Sequence, residues 1–308
     1  MSQTCSDIEV IVVDDASTDD TVSIVSEIGS ADSRLTLIRL TTNIGPAGAR
    51  NRGFQIARGK WISVLDADDL IAPSRTNELI TIAEQVGADI ISDNLTEFAG
   101  ADPGSGCAYL KKAKPDWIAV QDYLRQSVLF GGRRDFGYLK PLFRSDCLSA
   151  LKLRYDERLR IAEDDDLMVR ALLAGLKYWF EPNESYFYRR HPSSTSHRLS
   201  LNNIESMCNV SKELLVREEA SPELPLLMRR HLALRRGLAF VRLVDAVKRR
   251  SWLQAIRIGV RSPSVIPLLR MPAKAILRRV ASALRGRSRQ LANLHGPAET
   301  KLKLGTKQ

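Results

Sequence analysis

IEVIVVDDASTDD, residues 8–20, decides the fold class. Its first half is a continuous apolar run rich in β-branched residues, the pattern of a strand buried on both faces of a parallel sheet. The run ends in two acids, and Ser17 with an acid three residues on gives a helix-start signal. The same rhythm repeats downstream. Residues 35–40 read as a second strand, 46–57 as a helix, 61–65 as a third strand, 74–86 as a helix and 88–92 as a fourth strand. Strand and helix alternating in this way predict an α/β layer fold with a mainly parallel central sheet.

Further along, residues 100–115 shift to Gly, Pro, Asp and Lys and read as a loop. A helix is expected near 118–126, then an irregular basic and aromatic stretch, GGRRDFGYLKPLFR (131–144). Residues 164–174 form a strong helical pattern closed by Gly175, and YWFEPNESYFYRR (178–190) is strand-like. After Ser221 the pattern is helical, interrupted at Pro263, Pro267 and Pro272, and no internal repeat is present. With 308 residues, 44% hydrophobic and 27% charged, the chain is globular in composition and of a size for one domain with an extension. The expected division is a catalytic domain over 1–205 and a basic helical extension over 206–308.

The net charge of +10 is concentrated in that extension. Residues 229–289 hold 17 Lys and Arg against the single acid Asp245, so the stretch carries +16 and the remainder −6. Such a basic arm suggests an anionic partner, either nucleic acid or the inner face of a membrane. The interleaved Leu, Ile and Val of HLALRRGLAFVRLVDAVKRR (231–250) fit a membrane-surface helix better than a nucleic-acid arm. The chain has no run of 18 apolar residues and opens MSQTCSDIEV, without a basic and apolar leader. A transmembrane span and a secretory signal are therefore not expected, and the expected location is cytoplasmic and peripheral to the inner membrane face. Cys5, Cys107, Cys147 and Cys208 lie far apart with no CxxC pair, which reads as reduced, mostly packed thiols.

In open α/β sheets ligands bind beyond the carboxyl ends of the strands. Two strands here end in acids, the first at Asp14 and Asp15 and the third at Asp66, Ala67, Asp68 and Asp69. In an extended segment Asp66 and Asp68 share one side, an oxygen-only arrangement suited to Mg²⁺ or Mn²⁺ on a diphosphate. The plain alternative is a solvated turn with capping duty. In AEDDDLMVRALLAG (162–175), a helical wheel puts Asp164 on the apolar stripe of Leu167, Met168, Ala171 and Leu172, with Asp166 opposite. A carboxylate on the inward face needs a task or a partner, so Asp164 is the candidate general base, with an N-cap acid as the plain alternative. YFYRRHPSSTSHR (186–198) gathers His191, His197, three arginines and four hydroxyls, so one imidazole could complete a metal sphere, with a bystander loop histidine as the plain alternative, and NIGPAGARNRG (43–53) is a helix entry carrying Arg50 to the same crevice.

Taken in order, DIEVIVVDDASTDDT, NIGPAGARNRGFQIARGKWISVLDADD, EDDDLMVRALLAG and YRRHPSSTSHR resemble the inverting family-2 glycosyltransferases of the Rossmann-like GT-A fold. The resemblance covers about residues 2–200 and lies nearest the bacterial exopolysaccharide enzymes of succinoglycan type. It implies roles residue by residue. Asp14 and Asp15 match the acids at the nucleotide base, and Arg50 a position near the nucleotide. Asp66 and Asp68 match the DXD motif, the first near the ribose and the second on the metal. Glu163 and Asp164 match the ED pair, with Leu167 and Arg170 completing its spacing, and His191 matches a position that assists the metal. The implied activity is transfer of a sugar, glucose by this likeness, from a nucleotide-sugar donor to a lipid-linked saccharide acceptor, with inversion and a Mg²⁺ or Mn²⁺ cofactor. It also implies a strand and helix ahead of Ser2, the strand lying mid-sheet beside residues 8–13. A nucleotidyltransferase would share strand-end acids and metal but would not need a third carboxylate, and an inactive binding protein would need none. Nucleic acid is not an expected partner.

Overall fold

The computed structural model describes residues 2–111, 113–129, 136–191 and 199–269. Its first elements alternate as the sequence predicts: β1 (Val10–Asp14), α1 (Thr21–Ala31), β2 (Leu35–Arg39), α2 (Gly45–Ile56), β3 (Trp61–Ser63), β4 (Leu70–Ile71), α3 (Arg75–Val86) and β5 (Ile90–Phe98). The short strands β6 (Cys107–Ala108) and β7 (Asp116–Trp117) follow, then α4 (Val120–Gln126), β8 (Leu142–Arg144) and α5 (Ser145–Ala150). The chain continues through α6 (Glu163–Leu173), β9 (Tyr178–Arg189), α7 (Leu201–Arg217), α8 (Leu224–Lys248) and α9 (Trp252–Arg261).

The α/β class stands, with a mixed sheet in place of a mainly parallel one. β1 and β2 pair in parallel as a separate ribbon, while seven strands form a second sheet in the order β3-β8-β5-β9-β4, with β6 on β5 and β7 on β9. Within it β5 and β9 are parallel and the remaining pairs antiparallel. The antiparallel partners β4, β6, β7 and β8 are two or three residues long, too short to leave a period in the sequence. Burial differs too. Residues 10–13 are half-buried, because β1 has the one strand neighbour β2 among the described residues.

Two compact units emerge, Met1–Val241 and Arg242–Gln308. The first runs past residue 205 because α7 and α8 complete its core: Leu214 and Leu227 join the apolar cluster of Ile90, Leu167 and Tyr178. Among the described residues no helix is long and apolar enough to cross a membrane. All four cysteines are free thiols, with Cys208 buried and Cys107 exposed.

An ion pair sits inside the sheet layer. Arg75, the first residue of α3, and Asp93 of β5 are both enclosed, with side chains 1% and 0% exposed. Arg75 donates from Nη2 to Asp93 Oδ1 at 2.7 Å and from Nε to Oδ2 at 3.0 Å, and Ser185 Oγ of β9 donates to Oδ2 at 2.6 Å. The Arg75 guanidinium also lies 5.1 Å from the Tyr186 ring centre and donates to the backbone carbonyl of Lys140 at 2.5 Å. One cation thus ties α3, two central strands and the segment before β8 together. Arg75→Met leaves the Asp93 carboxylate buried without its countercharge, and should lower the unfolding free energy by about 3–5 kcal/mol. Urea denaturation followed by tryptophan fluorescence measures this; a loss under about 1 kcal/mol would show that the pair is not holding the layers.

Candidate active site

A cavity of about 780 Å³ lies beyond the carboxyl ends of β3 and β9. Its polar floor is Arg50, Asp66, Lys140, Glu163 and Asp164, with Asp68 and His191 at the side. An apolar arm leads off past Val128, Met207, Val210, Leu214, Leu227 and Leu234.

Arg50 reaches this floor from the middle of α2, whose start is built by backbone geometry. Gly45 opens the helix at φ +84°, a left-handed conformation that favours glycine, and the Arg160 guanidinium occupies the space a Cβ would take. The Asp15 carboxylate accepts from the backbone N–H groups of Ile44 (2.7 Å) and Gly45 (2.8 Å) and anchors that turn. Asp14 is buried and accepts weakly from Ser17 N–H. Neither Asp14 nor Asp15 is part of the cavity lining.

Asp66 and Asp68 both line the cavity, as alternation predicts, but a turn places them. β3 ends at Ser63, and Asp69 N–H closes the turn onto Asp66 O at 3.0 Å. Asp69 points into the fold, accepting from Tyr186 Oη (2.7 Å) and Arg189 N–H (2.8 Å), which leaves its two neighbours facing out.

Glu163 and Asp164 begin α6 after Ala162, a non-glycine residue at φ +62°. That left-handed turn swings the first helical turn onto the cavity floor, a local strain of the kind found at functional sites. The helix wheel holds for Asp164 and fails for Asp166, because α6 is enclosed on several sides. Asp166 is taken up by Arg170 at 2.7 Å instead of facing solvent, and Arg170 also donates to the Arg154 carbonyl.

Five side chains from four segments meet on the floor. Arg50 Nη1 contacts Glu163 Oε1 at 2.5 Å and Asp164 Oδ1 at 2.9 Å, while its Nη2 contacts Asp66 Oδ1 at 2.8 Å. Lys140 Nζ bridges Asp66 Oδ2 (2.8 Å) and Asp164 Oδ2 (3.2 Å), and Tyr155 Oη donates to Asp164 Oδ1 at 3.1 Å. Burial pushes the Asp66 carboxyl up, but Lys140 and Arg50 outweigh it and hold it below the usual carboxylate range. Glu163 is pushed up, by burial first and then by the neighbouring Asp164 charge. Burial works against the Lys140 ammonium, yet Asp164 and Asp66 keep its proton held more tightly than usual. Lys140 and Tyr155 are the residues sequence reasoning missed. Both come from stretches without helical or strand period, and no motif marks them.

Asp68 Oδ2 and His191 Nε2 lie 2.7 Å apart at the cavity side, more open than the floor. One carboxylate and one imidazole make a donor pair that Mg²⁺ or Mn²⁺ accepts when substrate phosphates and waters complete the sphere. Both Asp66 oxygens are occupied by Arg50 and Lys140, so Asp66 does not extend this pair. Among the described residues no group of three or more His, Cys, Asp or Glu could hold a metal alone. The residues therefore fit a cation shared with a diphosphate, not a cage built by the protein.

Comparison with known proteins gives the family and the fold. The family model for Glycosyl transferase family 2 matches residues 1–144. Succinoglycan biosynthesis protein ExoO of Rhizobium meliloti (strain 1021) is 37% identical over 279 residues, 89% of this chain and 79% of its own. ExoU of the same strain is 33% identical over 229 residues, 72% and 66% of the two chains. Among solved structures, S. aureus TarS 1–349 superposes with a TM-score of 0.59 at 20% identity over 85% of this chain and 74% of its own, and a further TarS structure is a complex with UDP-GlcNAc.

The floor balances three carboxylates against two cations, and removing one cation exposes that balance. A carboxylate such as Glu163 with a raised folded pKa binds its proton more tightly folded than unfolded, so its contribution to stability is lost as pH rises through that value. Lys140→Met should cost about 2–3 kcal/mol at pH 8 and distinctly less at pH 5, where protonation relieves the repulsion. Unfolding curves of both proteins at the two pH values measure it; an equal deficit at both would mean that Lys140 does not neutralise the floor.

Proposed function

The chain belongs to glycosyl transferase family 2, and from that premise we propose that it transfers glucose from UDP-glucose to a lipid-linked saccharide, with inversion, in exopolysaccharide biosynthesis. Carrying this proposal is the position of Asp164, a cavity-floor carboxylate within hydrogen-bond reach of Arg50, Lys140 and Tyr155. The donor class is supported by the UDP-sugar complex of the TarS fold relative, and the biosynthetic setting by the names of ExoO and ExoU. An acceptor with an apolar portion suits the arm lined by Met207, Leu214 and Leu227 that leaves the floor beside Asp164.

In the proposed reaction Asp164 accepts the proton of an acceptor hydroxyl. The oxygen then forms a bond to the anomeric carbon on the face opposite the diphosphate, and the electron pair of the breaking bond leaves with the diphosphate. Arg50 and Lys140 hold Asp164 between them, so the carboxylate is oriented before the acceptor arrives. A divalent cation held by Asp68 and His191 would supply Lewis-acid neutralisation of the leaving diphosphate. Asp66, already paired to Arg50 and Lys140, presents one charged edge of the floor to the nucleotide. Asp14 and Asp15, outside the cavity lining, are proposed to act at the nucleotide base from the β1 end.

Asp164→Asn keeps the shape of the floor and removes the base. Sugar transfer should fall roughly 100-fold or more, while UDP affinity, measured by calorimetry with Mn²⁺ present, stays within about twofold. Near-normal turnover in the variant would rule out Asp164 as the base.

A further inference from the structure

Among the described residues of the second unit, the most exposed large apolar side chains are on α9. Trp252, Leu253, Ile256 and Val260 are 60%, 86%, 64% and 75% exposed, while Ala255 on the other side is buried. At about 100° per residue these four fall within an arc of roughly 100°, and Arg257 and Arg261 follow along one border of it. The helix packs against the turn Pro263–Leu269, which buries Val265 and Leu268 and leaves Ile266 exposed. The basic stretch 229–289, expected to lie on a membrane, takes in most of α8 and all of α9, and its example segment 231–250 falls largely in α8. In that helix the exposed large apolar side chains, Met228, Leu232 and Val247, are spread along its length, Arg230 pairs with Asp165 at 2.5 Å, and Arg249, just past its end, pairs with Asp245 at 3.0 Å.

Charge says what covers the α9 face. From Ala246 to Ala298 the sequence has 12 Lys and Arg and no acid. A second copy of the chain would bring this same positive charge against itself, and a soluble nucleic acid would leave four large apolar side chains in water. An anionic bilayer satisfies both the arginines and the apolar arc, and a tryptophan at the edge of the arc suits the headgroup boundary. We propose that α9 lies in the plane of an anionic membrane, with Leu253, Ile256 and Val260 among the acyl chains, Trp252 at the interface, and Arg257 and Arg261 on lipid phosphates.

Flotation of the whole protein with phosphatidylglycerol-containing and with pure phosphatidylcholine vesicles tests this. The protein should float with the anionic vesicles only, and binding should drop sharply at about 1 M salt, where the screening length shrinks to about 3 Å. Leu253→Glu with Ile256→Glu should lower the bound fraction roughly tenfold or more, at unchanged circular dichroism and thermal midpoint, since both side chains point to solvent. Brominated lipids should quench a fluorescence component that is missing in Trp252→Phe, which places the helix at the interface independently of the glutamate variant. Three outcomes would overturn the proposal: flotation unaffected by the two glutamates, a dimer in light scattering that the same substitutions dissociate, or retardation of DNA at physiological salt without vesicle binding.

Discussion

Three carboxylates within hydrogen-bond reach of one guanidinium cannot all be ionised unless cations are built in beside them. Arg50 is that guanidinium: it touches Asp66, Glu163 and Asp164 at 2.8, 2.5 and 2.9 Å. Lys140 supplies the second positive charge between Asp66 and Asp164. Much of the surrounding structure serves to deliver these charges. Gly45 and the Asp15 carboxylate set the start of α2 and hence the reach of Arg50. Arg75 grips the Lys140 carbonyl while neutralising Asp93, so a buried ion pair in the sheet layer also fixes the segment that carries the second cation. The left-handed turn at Ala162 aims Glu163 and Asp164 at both.

What could be read from the sequence follows from how far each signal reaches along the chain. Periodic segments were legible, and β1, α1, β2, α2, α3, α6 and β9 stand close to where apolar period and breakers put them. The inward side of Asp164 was legible because a helical wheel needs only its own neighbours, whereas the closeness of Asp68 to His191 was expected only from the family resemblance. Asp166 was misplaced for the same reason, since the wheel assumes one buried side and α6 has several. The mixed sheet was not legible. Its antiparallel partners are too short to carry a period, and β8 enters between β3 and β5 through contacts distant in sequence.

Lys140 and Tyr155 mark the real limit. A lysine in an irregular basic stretch reads as solvated surface, and its burial here depends on Asp66 and Asp164, 74 and 24 residues away in the chain. Ion pairs of this kind have no local pattern, and the packing that brings the partners together is what makes them. The basic tail shows the converse. Its charge was plain in the composition, but which helix presents an uncovered apolar arc depended on what α8 and α9 each bury.

The central claim is the proposal that Asp164 takes the proton of the acceptor hydroxyl in a single displacement at the anomeric carbon. Its most direct measurement is the anomeric configuration of the first product formed from an α-linked nucleotide sugar, read from the H1–H2 coupling in proton NMR. A β-configured glycosidic bond is the expected result. An α-configured product would require a second displacement or front-face attack, and would contradict the assignment of Asp164 as the single base.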